Sequence, residues 1–239
     1  WKTEDGRIVS PGIFIPIFET NGFITKLDFY VWEETCRFIS SMQAKGISVP
    51  PISVNVSRVD LFNPDMVDTL IGLMKKYAID PKMLRLEFTE SAYAQSEQLM
   101  LKAMERFHAY GMEVEMDDFG SGYSSLNLLK DMSIDVIKID MQFLKDSERN
   151  IKAGMIIKHI ISMSEDLETD ALTEGVETAK QFENLYAMGC KLYQGYYFSN
   201  PVSVEDFETR KRLAISSNNA QSIYHVLREN ANGEGKASI

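Results

Sequence analysis

Apolar positions along the chain switch repeatedly between two periods. Short β-rich runs predict strands at Ile52–Val56, Leu84–Phe88, Val114–Met116, Val136–Ile139, Ala171–Leu172 and Leu192–Phe198. Longer stretches with helical spacing lie between them. Val67, Leu70, Ile71, Met74 and Tyr77 share one helix face, and so do Met100, Ala103, Met104 and Phe107, with Gly111 placed to end the second helix. Thr178 and Gln181 predict a capping box, and Gly189 a stop for the helix it opens. The Met and Phe residues on these stripes are read as core.

Alternating strand and helix patterns imply a parallel sheet built from βα units. No GxGxxG follows any strand, so a dinucleotide-binding doubly wound sheet has no support. A TIM-like (β/α)8 barrel fits better. Polar residues recur at predicted strand ends: Asn55, Glu87, Asp117, Lys138, Glu174 and Gln194, spaced by 32, 30, 21, 36 and 20 residues. Each step is about one βα unit long. In a barrel all strand C-termini open on one mouth, where the chemistry sits, so these six groups are expected to converge.

Composition narrows the function classes. The 239 residues are 44% hydrophobic, enough for a substantial core, and carry a formal net charge of −10 with a pI near 4.9. That balance argues against binding DNA or RNA polymers, which needs a basic face. Cys36 and Cys190 form no CxxC pattern, so a reducing compartment is the simpler expectation. No apolar run reaches the about 18–20 residues of a membrane span, and no signal peptide is visible. The opening WKTEDGRIVSPG reads as the interior of a longer protein. The region after about Phe207 turns polar, with Ile223, Val226 and Leu227 suggesting one short helix. Residues 1–208 are therefore assigned to the barrel and 209–239 to a helical or flexible tail.

The polar set has a chemical logic. Glu87, Asp117, Asp118 and Glu174 are hard oxygen donors, and Asn55 adds a neutral carbonyl. Oxygen-only ligation favours Mg²⁺ or Mn²⁺ over zinc. Several carboxylates in one pocket call for about two divalent ions, which together activate water and stabilise both ends of an in-line displacement at phosphorus. Lys138 offers a positive charge to a phosphate oxygen or to the attacking water. Adjacent Asp117 and Asp118 repel unless cations lie between them, and Gly120 and Gly122 let the following loop close. Any single acid after a strand is more often a cap or a solvated residue; it is the recurrence that singles these out. Asp140 and Glu177 read as structural, orienting Lys138 or capping the next helix, and Glu90 as a support behind Glu87. His108, His159 and His225 fall in helical segments, which leaves a histidine zinc site or a Ser–His triad without support.

VNVS, LEFTES, DDFGSGYSSL, KID, TEGVET and QGYYF, in this order and spacing, resemble an EAL-domain cyclic di-GMP phosphodiesterase, and FIPIFETNGFI resembles the family's FIP-x-AE stretch. The resemblance runs from about Pro11 to Phe207. It implies an EAL-type barrel that hydrolyses one phosphodiester of cyclic di-GMP to linear pGpG with Mg²⁺ or Mn²⁺, inhibited by Ca²⁺. By resemblance, Asn55, Glu87 and Asp117 are metal ligands, with Asp118 on the second ion. Lys138 is similar to the lysine that helps hold the water. Glu174 is similar to a metal-site acid sometimes assigned as general base, and Gln194 to a glutamine that holds water and metal in place. Glu90 resembles the glutamate that steadies the loop carrying Gly120, Ser121 and Gly122, which in the family links the site to a homodimer interface. A cytoplasmic domain is implied, with a diguanylate cyclase-like (GGDEF-type) domain, a sensor or a membrane anchor upstream all family-typical.

The family's Glu-Ala-Leu stretch, whose glutamate is a metal ligand on the first strand, would lie just before WKTEDG. This sequence begins after it. With every later motif intact, truncation is expected rather than loss, although a barrel without its first strand has unpaired edges and one carboxylate fewer. Asp60 is a smaller departure, standing where the family often has glutamine. Two other readings remain open: a catalytically inactive EAL domain serving as a cyclic di-GMP receptor or protein-interaction module, and a phosphodiesterase for another dinucleotide.

Overall fold

The computed structural model describes residue 1, residues 3–120, 129–130, 132–147 and 150–216, without the side chains of 147 and 212–216. Ser121 and Gly122, and the tail helix expected around Ile223, lie outside these residues. The elements run α1 (Pro11–Asn21), α2 (Ile24–Ala44), β1 (Ile52–Asn55), α3 (Met66–Lys76), β2 (Leu84–Thr89), α4 (Glu90–Tyr110), β3 (Glu113–Phe119), β4 (Val136–Ile139), α5 (Met141–Ser147), α6 (Ile151–Asp166), β5 (Asp170–Thr173), α7 (Ala179–Ala187), β6 (Leu192–Tyr193) and α8 (Val204–Ser216). The last helix runs through the expected boundary at 208/209. Among the described residues no helix is long and apolar enough to cross a membrane.

Strand order is chain order, β1-β2-β3-β4-β5-β6. The β1–β2, β2–β3 and β5–β6 pairs are parallel, as right-handed βα repeats require. Contacts group the chain into two units, Trp1–Ser41 with Val49–Lys138, and Met42–Ser48 with Ile139–Ile239.

In the first unit, period two sorts β2. Leu84, Leu86 and Phe88 are wholly buried, while Arg85, Glu87 and Thr89 take the other face. Each apolar side chain buried in this way contributes about 1.5–3 kcal/mol. The register sets Arg85 against Glu113 and Glu87 against Glu115. Helix α2 turns Ile24, Trp32, Cys36 and Ile39 inward, and α4 buries Met100, Ala103, Met104 and Phe107, the stripe its spacing predicts. Gly111 ends α4 in a left-handed conformation.

The second unit carries the capping box on α7: Gln181 N–H donates to Thr178 Oγ1, and Thr178 N–H to Gln181 Oε1. The last strand is shorter than its sequence pattern predicts. The run Leu192–Phe198 is strand only over Leu192–Tyr193. The backbone turns at Gly195, where an added Cβ would meet the Val176 carbonyl oxygen at 2.2 Å. Val176 N–H donates to Gln194 C=O and Tyr197 N–H to Val176 C=O. The aromatics then pack on Phe182 instead of extending the sheet.

Candidate functional site

The first unit brings together Glu87, Asp117 and Lys138, from three neighbouring strands. Lys138 Nζ donates to Glu87 Oε1 at 2.7 Å and lies 3.1 Å from Asp117 Oδ1. The Lys138 side chain is 5% exposed, and those of Glu87 and Asp117 are 13% and 18% exposed. An ammonium this deep is tolerated because the two carboxylates compensate it. The compensation is one-sided, since two acids meet one base. Burial raises the Glu87 carboxyl above its ordinary range against the pull of Lys138, and the charges of Asp117 and Glu115 add to the rise. Asp117 Oδ1 is buried with no hydrogen-bond partner, Lys138 being near it but out of alignment.

Asn55 ends β1 directly opposite Glu87 in the register. Its carbonyl accepts from Trp32 Nε1 at 2.9 Å, and Val56 N–H donates to Glu87 C=O at 2.9 Å, so the strand end is held from the helix side and from β2. Asp117 and Asp118 lie inside β3, not after it, which extends the expected strand Val114–Met116 to Glu113–Phe119. In a regular strand two successive side chains would point to opposite faces. Asp118 interrupts that alternation by adopting φ 55°, a left-handed conformation that costs of order 1 kcal/mol outside glycine and that Asp tolerates better than most. Strain of this kind at the end of a strand bearing acids is a common mark of a functional segment.

Glu90, the first residue of α4, is 3% exposed, and its Oε2 accepts from Gly120 N–H at 3.3 Å. It thereby connects the end of β2 to the residue after β3. If these acids serve a metal-dependent reaction, Glu90→Ala is expected to lower turnover about tenfold while leaving most of the divalent-ion affinity, because the side chain bonds a backbone N–H and not an ion. Parallel kinetics and Mn²⁺ titration would check this, and equal loss of both would make Glu90 a direct ligand.

In the second unit, Gln194 N–H donates to Thr173 C=O at 2.9 Å, which puts Glu174 and Gln194 on neighbouring strand ends. Glu174 N–H donates to Ile139 C=O at 3.1 Å. Gly175 has φ +67°, and a Cβ there would come within 2.5 Å of Met141 Cβ, so the loop carrying Glu174 sits hard against the start of α5. Asp140 Oδ1 accepts from Gln142 N–H at 2.5 Å, the geometry of a helix cap for α5. Glu177 is exposed and enters the α7 cap through its backbone, its N–H donating to Gln181 Oε1 at 2.7 Å.

Sequence reasoning missed Arg85 and Glu115. Glu115 is 1% exposed and shares its strand face with Asp117. Arg85 shares that of Glu87, and reaches Glu113 at 2.7 Å and Glu115 at 3.2 Å. The spacing of Glu113, Glu115 and Asp117 at every second residue was the available signal. Among the described residues no three His, Cys, Asp or Glu side chains are arranged to hold a metal ion by themselves.

A family model described as the EAL domain matches residues 1–201. The chain is 32% identical over 206 residues to the signaling protein YkoW of Bacillus subtilis, covering 86% of this chain and 26% of that protein. It is 30% identical over 205 residues to the bifunctional diguanylate cyclase/cyclic di-GMP phosphodiesterase MucR of Pseudomonas aeruginosa, covering 86% and 30%. The chain thus spans between a quarter and a third of the length of these relatives. The solved PaMucR phosphodiesterase in complex with c-di-GMP superimposes with a TM-score of 0.82 at 30% identity, over 87% of this chain and 84% of that one. The EAL domain of Mycobacterium smegmatis DcpA gives 0.74 at 29% identity, over 79% and 85%.

Proposed function

This chain belongs to the EAL-domain family and has the family's TIM-like barrel fold, and from that premise we propose that it is a metal-dependent phosphodiesterase hydrolysing cyclic di-GMP to linear pGpG. The observation that carries the reading is the buried meeting of Glu87, Asp117 and Lys138 from adjacent strands, with Asn55 opposite Glu87 and strained Asp118 next to Asp117. A domain that only bound a dinucleotide would have no need to bury two acids around one base.

The donor set suits Mg²⁺ or Mn²⁺. Every side chain in it offers oxygen, and Asp117 Oδ1, though 3.1 Å from the Lys138 ammonium, is buried without a hydrogen bond and shares that one positive charge with Glu87. An incomplete protein cage is the usual arrangement for Mg²⁺, which is held by one or two carboxylates and completes its shell with water and phosphate oxygens. Asn55, Glu87, Asp117 and Asp118 would hold the ions, which lower the pKa of bound water and neutralise charge at phosphorus. The residues of the chain do the rest. Glu87 and Asp117 present acceptors in a restrained geometry. Lys138, held by both, keeps a positive charge against the face where phosphate oxygens must sit. Glu90 holds Gly120 in register with the acids. Glu174 and Gln194 supply a further acid and amide on adjoining strand ends, the positions of chemistry in such barrels. Ca²⁺ inhibition and a homodimer through the loop after Asp118 belong to the same proposal.

Incubation with cyclic di-GMP and Mg²⁺, followed by chromatography, tests the reading. The expected result is pGpG that disappears with EDTA and returns with Mn²⁺. Retained ligand binding without product would instead make the domain a receptor.

A further inference from the structure

The inward face of α2 has one polar member. Asp28 is 7% exposed and lies one turn before Trp32 on the stripe of Ile24, Trp32, Cys36 and Ile39. It faces Asp60, wholly buried in the 3-10 turn Asp60–Phe62 that follows β1. Asp60 Oδ2 is well supplied, accepting from Ser57 N–H at 2.9 Å and Ser57 Oγ–H at 2.6 Å. Asp60 Oδ1 and Asp28 Oδ2 have no donor. Two buried carboxylates in contact do not both stay ionised. A single proton relieves the repulsion and gives the orphaned oxygens their missing donor. Burial, then the Asp60 carboxyl by hydrogen bond and charge, push Asp28 up to about 8, while the Ser57 hydroxyl and N–H pull the other way.

The pair sits beside a candidate ligand. From the same face of α2, Trp32 Nε1 donates to Asn55 C=O. Ser57, held by Asp60, is two residues further along. Helix α2 therefore grips the end of β1 on both sides of Val56. We propose that Asp28 and Asp60, sharing one proton, are positioning residues that lock the end of β1, and with it Asn55, onto α2. The groups facing Asp28 are the Asp60 carboxyl from the 3-10 turn and Ser57 from the segment after β1. Loss of the proton places two like charges in a buried contact and pushes the turn off the helix. The consequence for turnover rests on the proposed phosphodiesterase reading; the proton-sharing and its effect on the α2–β1 junction do not.

Trp32 is the reporter. The chain has two tryptophans, so Trp1→Phe leaves only the indole that bonds Asn55. Its emission, titrated from about pH 6 to about pH 10, is expected to show one transition with a midpoint near 8. Asp28→Asn should abolish it, since the amide donates without titrating, and Asp60→Asn should lower the midpoint because an amide then faces Asp28. In turnover assays Asp28→Asn should stay within about twofold of the parent at neutral pH and lose the matching alkaline limb, whereas Asp28→Ala should fall about tenfold. A flat parent titration, a transition that survives in Asp28→Asn, or an alkaline limb unchanged by that substitution each overturn the proposal. If no variant makes product, the phosphodiesterase reading fails while the emission titration still decides this one.

Discussion

Asp117→Asn is expected to lower hydrolysis of cyclic di-GMP at least about 1,000-fold, close to abolition. The substitution preserves size and shape, so the loss is one of charge. Asp117 Oδ1 is buried without a hydrogen bond, and its side chain is only 18% exposed. Water does not compensate such an atom well, and the proposed cation does. The amide weakens that attraction, and if its NH₂ turns toward Lys138 it sets a donor against an ammonium at a site 3.1 Å away. Each 1.36 kcal/mol is a factor of ten in rate, and a charge interaction with a bound cation in a dry site is worth several. The assay is product chromatography at saturating Mg²⁺, with circular dichroism to show an intact fold. Turnover near that of the parent would remove Asp117 from the metal site and with it the two-ion reading.

The parallel order was legible because buried βα strands read as short apolar runs between helical stripes, and the caps at Thr178 and Gly111 were legible because capping chemistry is local. Two things were hidden by long-range contacts. The aromatics of the QGYYF run have high β propensity, yet the strand stops at Tyr193 because Gly195 lets its backbone meet that of Val176. Arg85 and Glu115 were not singled out in the sequence. Their pairing depends on register between β2 and β3, which no single strand encodes. Of the six polar strand ends, the structure joins Glu87, Asp117 and Lys138 directly, with Asn55 in register with Glu87, and ties Glu174 to Gln194 through the backbone near Thr173. Spacing along the chain gave their period. It did not show that Lys138 would lie between two of the acids, since that follows from β2, β3 and β4 being neighbours.

That placement sets the second large effect. Lys138→Met is expected to cost about 3–5 kcal/mol of stability, a fall in Tm of roughly 10 °C, as well as turnover. Methionine fills much of the same volume, so packing alone predicts a small change. The cost comes from Glu87 and Asp117, left as two mostly buried acids without their base. Glu87 is already held above its ordinary range with Lys138 present, and removing the lysine raises it further. Thermal unfolding with and without Mg²⁺ separates two accounts of the lysine. If Glu87 and Asp117 form a cation site, millimolar Mg²⁺ should recover part of the lost stability, and more in the Met variant than in the parent, because the ion replaces the missing positive charge and binds only the folded chain. If the trio is a plain buried ion pair, both chains should melt at temperatures that ignore Mg²⁺. The distinction holds whether or not the chain turns over substrate, since it reads the charge balance of the trio and not the reaction.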